Sequence, residues 1–177
     1  MFNIKNQIIV KDNFFDNNIY KKIILNISKL KFYNRNTLLS EEHKNVYNKT
    51  YFDVPLDFNH FAVKEVVKKL REDYPLDILS HEHSYFLSTK HIGATIHNDG
   101  HCDVNCLIYL KGKNLMNSGT GFYDRVGDTY NLNTHVGFKE NRALIFDSKI
   151  CHASTQFEKN CGSRYVMANF FKNGDKK

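Results

Sequence analysis

The sequence predicts an α+β domain in which strands dominate, and three observations carry that. Two amphipathic helical stretches occupy the first 75 residues. After position 75 the texture changes to short β-rich runs separated by Gly, Asn, Asp and Lys clusters. Only 2 prolines occur, and no low-complexity linker divides the chain. Helices first and strands afterwards fit an α+β arrangement with the helices packed on one sheet face. Seven or eight short strands at such spacing suggest a sandwich or barrel.

Each element has its own signal. Residues 14–31 read as an amphipathic helix, because Ile19, Ile23, Ile27 and Leu30 recur at three- and four-residue steps and Asp16 can cap the start. Residues 60–74 read as a second helix with Phe61, Val63, Val66, Val67 and Leu70 on its buried stripe, stopped by Pro75. Between them, 34–50 is polar and irregular, a long loop of the kind that serves as a lid over a site. The strand-like runs are 84–89, 93–98, 104–110, 121–124, 129–136, 143–147 and 164–171.

Composition narrows the function classes. A chain of 177 residues with 41% hydrophobic and 14% aromatic residues is neither disordered nor fibrous, and it can bury a core as one domain. No run approaches the ~18 apolar residues of a membrane helix, so no membrane partner is expected. Residues 1–10 lack the pattern of a signal peptide, which favours a cytoplasmic protein. The net charge of +6 comes from Lys spread along the chain, without a dense basic stripe interleaved with aromatics, so nucleic acid is not an expected partner. Cys102, Cys106, Cys151 and Cys161 form no CxxC pair and read as packed thiols, with a disulfide or a zinc site as the alternative.

The chemistry concentrates in two segments. In Ile92-Gly-Ala-Thr-Ile-His-Asn-Asp-Gly100, His97 and Asp99 stand two apart at the end of a strand. Period-two geometry puts both on one face, a two-tooth chelate for a divalent metal. The second segment runs from the apolar strand 143–146 through a polar corner to His152, and Arg164 follows at the head of the last apolar strand. Two imidazoles and one carboxylate make a facial triad, the ligand set of non-heme Fe(II) oxygenases, with positions left open for a keto acid and dioxygen. An arginine fork could grip the far carboxylate of such an acid. The other histidines, His43, His60, His81, His83, His91, His101 and His135, read as surface or packing residues, with His101 the nearest rival ligand. Asp147 reads as a turn cap in preference to a support for His152.

With these pieces in order, the sequence resembles the 2-oxoglutarate and Fe(II)-dependent dioxygenases, most closely their prolyl 4-hydroxylase-like branch, over residues 84–171. The motifs are Gly93-Ala-Thr-Ile-His-Asn-Asp99, Val104-Asn-Cys-Leu-Ile-Tyr-Leu110, the glycine-rich turn Gly119-Thr-Gly-Phe-Tyr123, and Ala143-Leu-Ile-Phe-Asp-Ser with His152 and Arg164-Tyr. The resemblance implies a distorted double-stranded β-helix, a jelly-roll barrel, in which His97, Asp99 and His152 bind iron and Arg164 pairs with 2-oxoglutarate. These four would be the catalytic set. It also implies cofactor-binding roles for Tyr109, Tyr85 and Asn105. Alternation places Asn105, Leu107 and Tyr109 on one face, expected to be the barrel interior. The implied co-substrates are 2-oxoglutarate and O2, with Fe(II) as the metal and ascorbate as an auxiliary reductant. A carboxylate at position 99, instead of a small residue, favours hydroxylation over halogenation.

The whole chain, 1–177, would be one catalytic domain, with 14–74 supporting the barrel 84–171. The substrate implied is a prolyl or other residue of a peptide or protein. The alternatives are a free amino acid or small metabolite as substrate, or a non-catalytic metal-binding jelly roll. Val104 and Asn105 stand where the family often has a basic residue followed by Thr, and 119–123 lacks the Gly-Gly-Glu-Leu signature.

Overall fold

Asp16 opens the first helix as expected: its carboxylate accepts the N–H groups of Asn18 and Ile19, each at 3.0 Å, which satisfies donors that a helix start leaves bare. In the computed structural model, which describes residues 4–34, 51–74, 76–89, 95–156 and 163–174, helix α1 spans Asn17–Ile27 and buries Ile23 and Ile27. Helix α2 spans Phe61–Asp73 and buries Ala62, Val63, Val66, Val67 and Leu70. It is capped by the His60 ring, whose Nδ1 accepts the Ala62 N–H at 3.3 Å. Pro75 and most of the proposed lid 34–50 lie outside the described residues.

The described residues form ten strands: β1 (Ile8–Lys11), β2 (Tyr33–Asn34), β3 (Tyr51–Leu56), β4 (Ile78–Thr89), β5 (Val104–Lys111), β6 (Leu115–Val126), β7 (Thr129–Phe138), β8 (Arg142–Asp147), β9 (Cys151–Gln156) and β10 (Arg164–Asn173). They form a seven-stranded sheet in the order β1-β8-β5-β10-β4-β3-β2 and a three-stranded sheet in the order β7-β6-β9, with antiparallel pairing throughout. The mainly β, jelly-roll expectation holds, and the helices pack on one face of the larger sheet.

Several boundaries differ from the sequence reading. Strand β4 starts at Ile78; the polar stretch 80–84 hides its first half from the apolar pattern, and its pairing with β10 shifts register between His81 and His83. Strands β1, β2, β3 and β9 were not expected as strands. Of the run 93–98, residues 95–98 hold one isolated bridge, His97 to His152, and 93–94 lie outside the described residues. The segment 119–123 is not a turn but the middle of β6. Its glycine answers a close approach: a Cβ on Gly119 would stand 1.9 Å from the Val136 carbonyl oxygen. The turn comes later, at Gly127, whose φ of +61° gives the left-handed corner that joins β6 to β7.

Two cores result. Between α1, α2 and the outer face of the large sheet lies an aliphatic layer including Ile23, Val63, Val66, Leu70, Val104, Ile108, Ile145 and Met167. Between the sheets lies a smaller, more aromatic cluster of Tyr109, Phe122, Val136, Phe138, Leu144, Phe146 and Val166. Asn141, itself at φ 58°, joins the two layers. Its amide accepts from the Phe15 N–H at 2.9 Å and donates to the Phe15 carbonyl at 2.8 Å, and its own N–H reaches the Tyr109 carbonyl at 2.8 Å. Among the described residues no helix is long and apolar enough to cross a membrane.

Candidate active site

Strand β9 carries His152 into the barrel, opposite Phe122 of β6. The short segment through His97 is zipped to it by a pair of backbone hydrogen bonds, His97 N–H to His152 O at 3.1 Å and His152 N–H to His97 O at 2.8 Å. Asp99 follows, anchored by its N–H on the Ser148 carbonyl at 2.9 Å. Three residues far apart in sequence therefore meet, and one ligand atom from each lies within 4.8 Å of the others. Asp99 Oδ2 is 3.3 Å from His152 Nε2, and Oδ1 is 3.8 Å from His97 Nε2.

The imidazoles are prepared alike. His97 Nδ1 faces the Thr95 carbonyl at 2.8 Å and His152 Nδ1 faces the Ile150 carbonyl at 3.0 Å. A carbonyl only accepts, so each ring carries a proton on Nδ1, and Nε2 is the atom turned toward Asp99. Backbone anchoring of this kind fixes the tautomer of metal-binding histidines. His152 is packed between Phe122 and Phe146, with ring centroids 6.4 and 4.8 Å away, whereas the His97 side chain is 48% exposed. The group thus has a wall on one side and an opening on the other. Burial pushes the Asp99 carboxyl up, but the hydrogen bond and charge of His152, the charge of His97 and the Asn105 amide outweigh it and hold the group below its ordinary value.

Arg164 lies deeper in the barrel and is 6% exposed. Its guanidinium donates to the carbonyls of Gly119 and Thr155, each at 3.0 Å, and to Ser118 Oγ at 3.3 Å. Thr155 is three residues beyond His152 on β9, so the carbonyl that the guanidinium touches lies roughly 10 Å along the strand from the triad. Tyr109 stands in the same interior, stacked on Phe138 at 4.7 Å, with its hydroxyl donating to Thr120 Oγ1 at 2.7 Å. Burial pushes that phenol up to about 12, against the opposing Thr120 hydrogen bond and the charges of Arg164 and Arg142.

The remaining expected cofactor-binding residues, Asn105 and Tyr85, stand in different places. Asn105 and Leu107 share the interior face with Tyr109, but the Asn105 amide donates to Asp99 Oδ2 at 2.6 Å. Tyr85 pairs with Ala168, four positions along β10 from Arg164, and joins a ring cluster with His83 and Phe170 at 5.2 and 6.5 Å. His101 is not part of the triad; it stacks on His83 at 4.9 Å. Asp147 caps the following turn through the Lys149 N–H at 2.9 Å and holds Asn6 N–H at 2.9 Å. Among the described residues no cysteine joins the metal-ligating group, and Cys161 lies outside them. Burial pushes the Cys102 thiol up to about 12, with the Asp99 charge adding to it. Nothing in the local pattern pointed to Ser118 or Ser148 beside the site, because each enters through tertiary contacts that leave no periodicity.

No protein-family model and no curated protein matches the chain. Solved structures match it well in shape. HygX from Streptomyces hygroscopicus, with nickel and 2-oxoglutarate bound, superposes with a TM-score of 0.69 at 11% identity, covering 96% of this chain and 83% of that one. A prolyl hydroxylase from Trichoplax adhaerens, in complex with a hypoxia inducible factor oxygen degradation domain peptide fragment, gives 0.64 at 14% identity over 95% and 84%. A prolyl-4-hydroxylase from Pseudomonas putida gives 0.60 at 10% identity over 94% and 92%. The chain therefore has the fold of the 2-oxoglutarate-dependent oxygenases. Prolyl hydroxylases are among the solved structures that it resembles in fold.

Proposed function

We propose that this protein is a 2-oxoglutarate- and Fe(II)-dependent dioxygenase that hydroxylates a C–H bond. The observation that carries the reading is the convergence of His97, Asp99 and His152 at one end of a barrel whose interior holds Arg164. The donor set suits Fe(II): two neutral imidazole Nε2 atoms and one carboxylate, a combination associated with non-heme iron. Iron held there would supply the dioxygen chemistry that couples oxidation of 2-oxoglutarate to succinate and carbon dioxide with hydroxylation of the substrate.

The protein's own groups do the rest. His97, Asp99 and His152 would hold the metal, with His97 on the open side. Arg164 would bind the distal carboxylate of 2-oxoglutarate with a fork of N–H donors that its present carbonyl and hydroxyl partners keep aimed. Tyr109, neutral at physiological pH, would line the same end. Phe122, Phe146 and Phe138 exclude water from the interior, which strengthens every charge pairing inside. A closed structural zinc site is disfavoured, since such sites use four protein ligands and the group has three among the described residues.

For the substrate, a peptidyl side chain is favoured, supported by the peptide held by the Trichoplax adhaerens structure. The reading takes 1–177 as one catalytic domain in a cytoplasmic protein, with 14–74 as its support. The test is succinate release from 2-oxoglutarate across a panel of prolyl peptides, free amino acids and small metabolites. Turnover should depend on added Fe(II), and Asp99→Ala should abolish it. Wild-type-like turnover in that variant contradicts the assignment.

A further inference from the structure

The interior face of β5 carries a misfit. Asn105 is fully buried, in cross-strand register with Phe146 on one side and Phe170 on the other. An amide in such surroundings costs stability unless both of its ends find partners. Both do. Nδ2 donates to Asp99 Oδ2 at 2.6 Å, and Oδ1 accepts from Cys102 Sγ at 3.0 Å. The thiol is a donor here because the amide oxygen can only accept, and this fixes which way the amide points.

The loop between Asp99 and Asn105 is closed on itself as well. The Asp99 carbonyl accepts the Cys102 N–H at 3.0 Å, with the Cys102 sulfur 3.3 Å away. Ser148 Oγ donates to the Cys102 carbonyl at 2.5 Å, while the Ser148 carbonyl accepts the Asp99 N–H at 2.9 Å. Asp99 itself stands on a loop, whereas Asn105 stands in a central strand of the large sheet.

From this arrangement we infer that Asn105, oriented by Cys102, is a positioning residue for Asp99: it pins one carboxylate oxygen so that the ligand binds metal in a single orientation. The inference rests on the metal-site reading proposed above and adds a role that Asn105 would not have as a keto-acid contact. A carboxylate can turn about its last bond and bind through one oxygen or two. An amide N–H on Oδ2, delivered from a rigid strand, removes that freedom. Cys102 does for Asn105 what Asn105 does for Asp99.

The test is Ni(II) binding to the intact protein by titration calorimetry. Asn105→Leu keeps the side chain's bulk and removes the donor; it should weaken Ni(II) roughly 10- to 100-fold. The affinity of the Ni(II)-loaded protein for 2-oxoglutarate should stay within about twofold of wild type, which separates positioning from keto-acid contact. Cys102→Ala should give a smaller loss in the same direction, and Cys102→Ser, which keeps a donor, should restore most of it. The visible bands of the Co(II)-loaded protein should shift in Asn105→Leu, a change that a purely packing role would not produce. Wild-type Ni(II) affinity and an unshifted Co(II) spectrum in Asn105→Leu overturn the inference, provided Asp99→Ala has lost binding. If Asn105→Leu does not fold, wild-type Ni(II) affinity in Cys102→Ala overturns it instead. A wild-type protein that binds neither Ni(II) nor Co(II) overturns the metal-site reading itself, and the inference with it.

Discussion

The two faces of the large sheet are built from the same strands and do different work. On β5, Val104, Cys106, Ile108 and Leu110 point outward into the aliphatic layer under α1 and α2. The residues between them, Asn105, Leu107 and Tyr109, point inward to the barrel. The outer face holds nothing but packing on this strand. The inner face mixes aromatic rings with an amide and a phenol that each hydrogen-bond a neighbour. Because side chains alternate, a one-residue slip in register would exchange the faces and destroy core and site together. Stability and chemistry are thus separated by one residue of sequence and by the thickness of a sheet.

That separation can be broken from either side. On the outer face, Leu70→Ala removes a fully buried side chain from α2. It should cost about 2–5 kcal/mol of stability in urea unfolding, the usual range for a core leucine truncation. The fraction that remains folded should keep wild-type Ni(II) affinity. On the inner face, Arg164→Met should do the reverse. Losing hydrogen bonds from a charged group to a carboxylate costs about 1.5–3 kcal/mol, so the KM for 2-oxoglutarate should rise roughly 10- to 100-fold. Ni(II) affinity should stay unchanged, since the guanidinium reaches no member of the triad.

The smallest effect belongs to the surface. Hydrogen bonds from Arg142 and Lys139 hold the Asp12 carboxyl down at about 2, from an ordinary 3.8. A carboxyl depressed by folding stabilises the protein above its unfolded value. That contribution fades as pH falls from 3.8 toward 2. Asp12→Asn should therefore flatten the acid limb of the stability curve over that window. At neutral pH it should cost no more than the ~0.2–1 kcal/mol of a solvent-exposed ion pair. Succinate release should not change. Thermal unfolding across pH checks the first part and the turnover assay the second.

Where local pattern dictated structure, the sequence was readable. The helix stripes, the Asp16 cap and the alternation of Asn105, Leu107 and Tyr109 all rest on period and propensity, and they reappear, except that α1 ends at Ile27, before Leu30, and Phe61 is only partly buried. The meeting of His97, Asp99 and His152 was legible only through motif order, since 52 residues of barrel must fold between Asp99 and His152 before they touch. What stayed hidden was set by partners. Strand β1 is short and exists by pairing with β8, and Pro55 disguised β3, which pairs with β4 regardless. The apparent turn at 119–123 proved to be strand, because Gly119 is needed there for a close crossing and not for a bend. No local pattern ties Cys102 to the Asn105 amide, which it meets only in the fold.

The triad-and-arginine site is tested most directly by an anaerobic titration of the protein with Fe(II) and 2-oxoglutarate, followed in the visible spectrum. The expected result is a weak charge-transfer band that requires both components and is lost in Asp99→Ala. A protein that binds Fe(II) but shows no such band at any concentration of 2-oxoglutarate contradicts it.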